Sequence, residues 1–195
     1  MDTLIDDLTR KIRELEAQMD AHIAQRRAEL RIGMERGRVV FEQEVLRRHR
    51  ELKTALLSYI WNANRFVIAT APVIYAMILP LGLLDLFVTV YQMICFPVYG
   101  IPKVRRADYF VFDRHHLAYL NAIEKLNCAF CSYANCLIAY VREIAARTEQ
   151  YWCPIKHARR VIGAHPRYVK FDDYGDAESF RKHAEDLRAE LAKEK

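Results

Sequence analysis

The sequence predicts a mainly α-helical membrane protein with an N-terminal amphipathic or coiled-coil helix, a central hydrophobic helical hairpin and a helical cytoplasmic C-terminal module. Three observations lead to this prediction. Apolar residues recur at helical spacing near the N-terminus, one apolar block fills residues 66–99, and residues 113 to 150 contain neither glycine nor proline. We therefore divide the chain into an N-terminal helical segment (1–60), a membrane hairpin (61–102) and a helical module with cysteine and histidine residues (103–195).

The N-terminal segment carries an apolar seam. Its members are separated by alternating steps of three and four residues, and they are Ile5, Leu8, Ile12, Leu15 and Met19. This spacing keeps them on one face of a helix and is typical of a coiled coil of about three heptads. We therefore expect the chain to form a homo-oligomer, although a helix packed against its own protein would carry the same pattern.

The central block reads FVIATAPVIYAMILPLGLLDLFVTVYQMICFPVY. Pro80 and Gly82 lie at its middle and predict a turn between two limbs. The limbs measure roughly 21 and 25 Å at a helical rise of about 1.5 Å per residue, less than the hydrocarbon thickness of about 30 Å. A hairpin that dips into the bilayer fits better than two full spans, and a buried hairpin in a soluble protein is a further alternative.

The charges beside the block predict its topology. The formal net charge is +5, and cations stand on both sides of the apolar residues. Under the positive-inside tendency this favours a hairpin with both termini cytoplasmic and contacts with anionic headgroups. No nucleic-acid-binding motif is present, so nucleic acid is not an expected partner. The flanking cations are Arg47, Arg48, Arg50, Lys53, Arg65, Lys103, Arg105 and Arg106.

Asp85 is the single charged residue of the apolar block. A carboxylate near mid-bilayer costs about 2.5–3.5 kcal/mol on insertion scales, so such a residue is usually paired, protonated or functional. Its position shortly after Pro80 and Gly82 predicts that it lies at the hairpin turn, near the far interface. A role in proton or ion handling is the alternative.

The C-terminal module contains most of the thiols. Cys128 and Cys131 form a CxxC pair, and Cys153 and His157 follow as CxxxH. Three thiolates and one imidazole are the ligands of a closed structural zinc site, and iron is the second choice of metal. A straight helix over residues 132–150 would hold the pairs about 28 Å apart, so sharing one ion requires a break in the helix or a second subunit.

A second ligand set avoids that difficulty. On one continuous helix, His116, Glu124, Cys128 and Cys131 would share a face and could form an open metal site. The remaining alternatives are cysteines that only fill the core and a redox-active CxxC pair. The module is expected to end in an amphipathic helix over about 177–193, after Asp176.

Together these features predict a membrane-anchored, self-associating scaffold or accessory subunit with a structural thiolate metal site, and a larger membrane complex is a further candidate partner. The competing class is a metal-dependent membrane redox enzyme or metal-handling protein that uses the open Glu/His/Cys set. The pattern of residues favours a non-enzymatic role, because it assigns no catalytic residues and no substrate.

Overall fold

A computed structural model describes residues 2–29, 32–35, 38–41 and 43–194. The described chain is mainly helical, which confirms the predicted class. Its Cα positions divide into two compact units: a first unit of Met1–Asn62 with Asp113–Leu126, and a second unit of Ala63–Phe112 with Asn127–Lys195.

The first unit opens with helix α1, Asp2–Glu29. Two short antiparallel strands follow, β1 (Ile32–Glu35) and β2 (Arg38–Phe41). The β-branched pair of valines in RVVF suits an extended backbone better than a helix. The helical segment expected over residues 1–60 is therefore interrupted before it resumes in two short helices, α2 (Gln43–Glu51) and α3 (Leu56–Trp61).

The apolar block forms two helices in the second unit, α4 (Arg65–Ala76) and α5 (Ile78–Tyr99). The Asn64 side chain caps the start of α4 by accepting a hydrogen bond from a backbone N–H. Only Met77 separates the two helices, and its φ of −61° and ψ of −14° remain in the right-handed helical region. Gly100, with φ of 68°, ends α5 in the left-handed conformation that glycine favours.

The turn expected at Pro80 and Gly82 is not present, because both residues lie inside α5. Pro80 has no N–H to donate to the carbonyl of Ala76, four residues earlier, and its ring crowds that carbonyl. This accounts for the interruption at Met77. Helical hydrogen bonding resumes at once, since the Leu81 N–H donates to the Met77 carbonyl. The apolar block is thus one interrupted helix of 35 residues.

Helix α6 runs from Ala122 to Trp152 without a break. It begins at a reciprocal capping box: the Glu124 N–H donates to Asn121 Oδ1 at 3.0 Å, and the Asn121 N–H donates to Glu124 Oε2 at 2.8 Å. The final helix, α7, spans Ala177–Lys193, as predicted, and the Asp176 side chain caps it by accepting a hydrogen bond from the Ser179 N–H.

The core of the second unit forms where α5, the segment after it, α6 and α7 meet. Its central side chains are Phe96, Ile101, Val104, Leu137, Tyr140, Ile144 and Leu191. Helix α6 runs parallel to α4 and α5, since the residue numbers of the contacting pairs rise together along the two helices. The pairs are Tyr75 with Asn127, Asp85 with Tyr133, Gln92 with Tyr140, and Tyr99 with Tyr151.

Candidate membrane surface and the predicted thiol site

The α4–α5 helix has an exposed apolar surface. It is long and apolar enough to cross a membrane, and in its most apolar 18-residue stretch no residue is buried in the protein. A core helix of a soluble protein would bury most of such a stretch, and soluble proteins rarely expose contiguous apolar patches beyond a few hundred Å². The exposed residues define the apolar surface, and they include Phe66, Val73, Leu79, Leu83, Leu86, Phe87, Val90, Ile94 and Val98.

Helix α5 has two faces of different character. Gln92 and Phe96 are buried on the packed face, which contacts the core of the second unit. On the other side Leu83, Leu86 and Val90 recur at helical spacing and remain exposed. The sequence hides this division because both faces are largely apolar. Packing against α6 therefore covers only one side of the helix and leaves the other for another apolar environment.

Asp85 belongs to the packed face and is ion-paired. Its two carboxylate oxygens accept hydrogen bonds from the two terminal nitrogens of Arg106, at 2.5 and 2.7 Å. Tyr133 Oη donates to the same carboxylate at 3.0 Å. The guanidinium carbon also lies 3.9 Å from the ring centroid of Phe110, within cation–π range. The carboxylate is thus balanced within the second unit, and the hairpin turn at which it was expected does not exist.

Gln92 holds the segment after α5 against that helix. Its Oε1 accepts a hydrogen bond from the Val104 N–H at 2.6 Å, and its Nε2 donates to Tyr140 Oη at 2.8 Å. The side chain is only 6% exposed, so these partners satisfy an amide that would otherwise be costly to bury. The chain therefore returns along α5 towards Asp85 after Gly100.

A cluster of charged residues joins α6, the 3₁₀ turn Pro166–Lys170 and the end of α7. Arg167 donates to Glu143 at 2.7 Å and to Glu194 at 2.5 Å. Arg147 donates to Glu143 at 2.9 Å and to the Pro102 carbonyl at 2.7 Å. The hydrogen bond from Arg167 lowers the pKa of Glu194 below its usual range. Because these charges are paired with one another, we assign the cluster a structural role in holding α6, the 3₁₀ turn and the end of α7 together.

The intact helix keeps the four predicted zinc ligands apart within one chain. Cys128 and Cys131 lie in α6, whereas Cys153 and His157 follow its end. From Cys131 to the end of α6 the backbone is continuous helix, about 32 Å at a rise of about 1.5 Å per residue. The described chain therefore does not bring the two pairs together, and a zinc or iron site that joins them stays a prediction.

The alternative ligand set is not assembled on one helix either. His116 lies in the 3₁₀ turn Arg114–His116, before α6 begins, whereas Glu124, Cys128 and Cys131 all lie in α6. The Glu124 carboxylate is occupied by the capping box. Across the described ranges, no group of three or more His, Cys, Asp or Glu side chains is arranged to hold a metal ion.

The residues that organise the second unit carried weak sequence signals. Arg106 belongs to the basic run PKVRR, whose position beside the apolar block predicts a contact with lipid headgroups. Gln92 is a single amide in an apolar block, and Arg167 pairs with residues 24 and 27 positions away. Only the capping box had a local signature, Asn-x-x-Glu at residues 121–124, which marks the start of α6.

Comparisons of the chain with protein-family models, curated proteins and solved structures found no match. The fold and the apolar surface define a mainly helical protein, and the part of the chain that the structure describes contains one helix long and apolar enough to cross a membrane.

Proposed function

We propose that this protein is a membrane-anchored, self-associating scaffold or accessory subunit whose anchor is the α4–α5 helix. The apolar surface of that helix carries the proposal. It exposes large aliphatic and aromatic side chains along a helix that is packed on one side only. Leaving such a surface in water costs about 25 cal/mol per Å² relative to burial, and a bilayer removes that cost without a protein partner.

The anchor lies along one leaflet, with both termini cytoplasmic. Helix α6 meets α5 along its length and carries Arg142, Glu143 and Arg147, which would be costly to place in hydrocarbon. A helix with one apolar face and one polar, protein-covered face suits the interfacial plane of a bilayer. The exposed cation Arg65 stands at the start of the anchor, and the exposed cations Lys103 and Arg105 lie in the segment that returns along α5 after Gly100. Near anionic headgroups each contributes about 1 kcal/mol.

Self-association is supported by α1. The seam predicted for a coiled coil is exposed along this helix, with Leu8, Ile12, Leu15 and Met19 between 50% and 63% exposed. Two copies of α1 could bury these side chains against each other in the heptad pattern. The chain would then hold a homo-oligomer, or a larger membrane complex, at the bilayer surface.

Vesicle flotation tests the anchor. We expect the purified chain to float with vesicles of phosphatidylcholine and phosphatidylglycerol and to resist extraction by alkaline carbonate. Leu83→Glu and Leu86→Glu should each reduce flotation several-fold, because they place a carboxylate on the apolar surface. Ile162→Glu is the matched control, since Ile162 is 96% exposed and lies outside the anchor.

Two results would contradict this proposal. One is an unsubstituted chain that stays in the soluble fraction. The other is flotation that the two surface variants leave unchanged. Tags at the two ends of the chain test the orientation: protease added to sealed vesicles should remove both tags if the anchor lies in the outer leaflet, and only one if the helix crosses.

A further inference from the structure

A groove of about 400 Å³ runs between α5 and α6. Val88 and Tyr91 line it from α5, and Ile144, Ala145 and Trp152 line it from α6. Its volume falls within the range of about 300–1,000 Å³ that is typical of ligand sites. All of its lining residues belong to the second unit.

Apart from the Cys153 thiol, the polar side chains that line the groove are already paired. Tyr91 Oη and Thr148 Oγ1 lie 3.0 Å apart, and Thr148 Oγ1 donates to the Ile144 carbonyl at 2.8 Å, so the tyrosine donates to the threonine. Glu149 Oε2 lies 2.8 Å from His165 Nε2. An occupant with hydrogen-bonding groups would have to break one of these pairs, whereas a hydrocarbon occupant would leave them intact.

The groove is continuous with the apolar surface. Phe87 and Ile94 are exposed on α5 and stand four residues before and three residues after Tyr91, so they share its side of the helix, and Ile138 and Trp152 are exposed on α6. An occupant can therefore enter sideways from the environment that covers the anchor.

We infer that this groove holds one acyl chain of a bilayer phospholipid. The inference rests on the proposed membrane anchoring, which brings the groove to the lipid. A linear chain fits a long apolar groove, and burial contributes about 0.8 kcal/mol per methylene group. Lipid in the groove would be retained by the protein, in contrast to the exchangeable lipid around the rest of the apolar surface.

Fluorescence of Trp152 can test this inference in the full chain. The sequence has two tryptophans, so Trp61→Phe leaves Trp152 as the reporter. Phosphatidylcholine with brominated acyl chains is titrated into the detergent-solubilised variant. We expect a phase of quenching that saturates near equimolar lipid and is reversed by unbrominated phosphatidylcholine. Lipid mixing in the micelle alone would instead give quenching that rises steadily with the lipid fraction.

Two variants locate the bound chain. Ala145→Phe fills the groove and should abolish the saturable phase. Ala139→Phe makes the same change at another exposed alanine of α6, outside the groove lining, and should preserve it. Circular dichroism checks that both variants fold. If a groove variant does not fold, the titration of the Trp61→Phe protein still tests whether quenching is saturable.

Each remaining outcome overturns the inference. Quenching without a saturable phase means that no chain is retained. A saturable phase that survives in a folded Ala145→Phe protein means that the lipid binds elsewhere. A dimer that Ala145→Phe dissociates, without saturable quenching, assigns the groove to a second copy. Flotation is measured on the same samples, so a chain that floats without retaining lipid refutes the groove alone, whereas a chain that does not float refutes the anchor.

Discussion

Asp85 and Arg106 form a two-pronged ion pair across 21 positions of the chain, with contacts of 2.5 and 2.7 Å. The pair joins α5 to the segment that returns along it, and Tyr133 connects the same carboxylate to α6. It explains how an otherwise apolar helix accommodates a carboxylate, because the partner comes from the same compact unit. The charge is thereby turned towards protein and away from the apolar surface of α5.

Breaking this pair should destabilise the second unit asymmetrically. Arg106→Leu leaves the Asp85 carboxylate only 15% exposed and without its cation, and we expect it to lower the free energy of unfolding by about 1–3 kcal/mol. The Asp85→Leu/Arg106→Leu double variant should recover part of that loss, because it removes the unpaired charge as well. Thermal unfolding in detergent, analysed as a double-mutant cycle, measures the coupling.

The neighbouring arginine supplies the control. Arg105 is exposed, and its contact with Asp108 is 3.9 Å long. Arg105→Leu should therefore change the free energy of unfolding by less than about 0.5 kcal/mol. Equal effects of the two arginine substitutions, or purely additive effects in the cycle, would show that the Asp85–Arg106 geometry contributes nothing specific.

How far the sequence predicts this structure depends on whether the signal is local. The α7 helix was predictable because Asp176 and its apolar stripe act within the helix itself. The continuation of the helix through Pro80 and Gly82 was not predictable from the sequence. A proline near the start of a helix is tolerated when the carbonyl that loses its partner lies at the end of the preceding helix. Arg106 and Gln92 act through partners distant in sequence, for which no periodicity gives a signal.

The same distinction applies to the candidate sites. The CxxC and CxxxH motifs can bind one metal ion together only if the backbone between them folds back. Within one chain the unbroken α6 keeps them apart. The sequence predicts which residues belong to the apolar block, but it does not predict which of their side chains stay exposed. Which side of α5 is covered depends on α6, whose contacts lie about 50 residues away in sequence.

The zinc prediction now has a specific form. Because α6 separates Cys128 and Cys131 from Cys153 and His157, a single chain should hold no zinc through all four residues. Elemental analysis of monomeric protein compares the unsubstituted chain with Cys128→Ser and Cys153→Ser, and Cys95→Ser is the matched control. We expect no bound metal whose amount falls in both of the first two variants. Stoichiometric zinc in monomers, lost in both variants, would require α6 to break.

The seam of α1 can be tested by one matched pair of substitutions. Leu15→Asp places a carboxylate at the centre of the exposed apolar seam and should shift the protein towards monomers in sedimentation equilibrium. Ala17→Asp introduces the same charge on the opposite side of the helix and should leave the oligomer intact. If both variants sediment like the unsubstituted protein, α1 does not mediate self-association.

Acid should weaken the attachment of α7 through Glu194. Its pKa is lowered because Arg167 donates to it, so the ionised form is favoured in the folded state. The associated stabilisation is fully present above the ordinary glutamate pKa of about 4.3 and is lost as the pH falls through the lower folded value. Glu194 is 34% exposed, so solvent screening limits the effect to about 1 kcal/mol or less.

Glu194→Gln should therefore lower the unfolding temperature at neutral pH and flatten its dependence on pH below 5, roughly the upper end of this titration. Glu185→Gln, at an exposed position of the same helix, should leave the profile unchanged. If the Glu194→Gln and unsubstituted profiles coincide, the contact with Arg167 contributes no measurable stability.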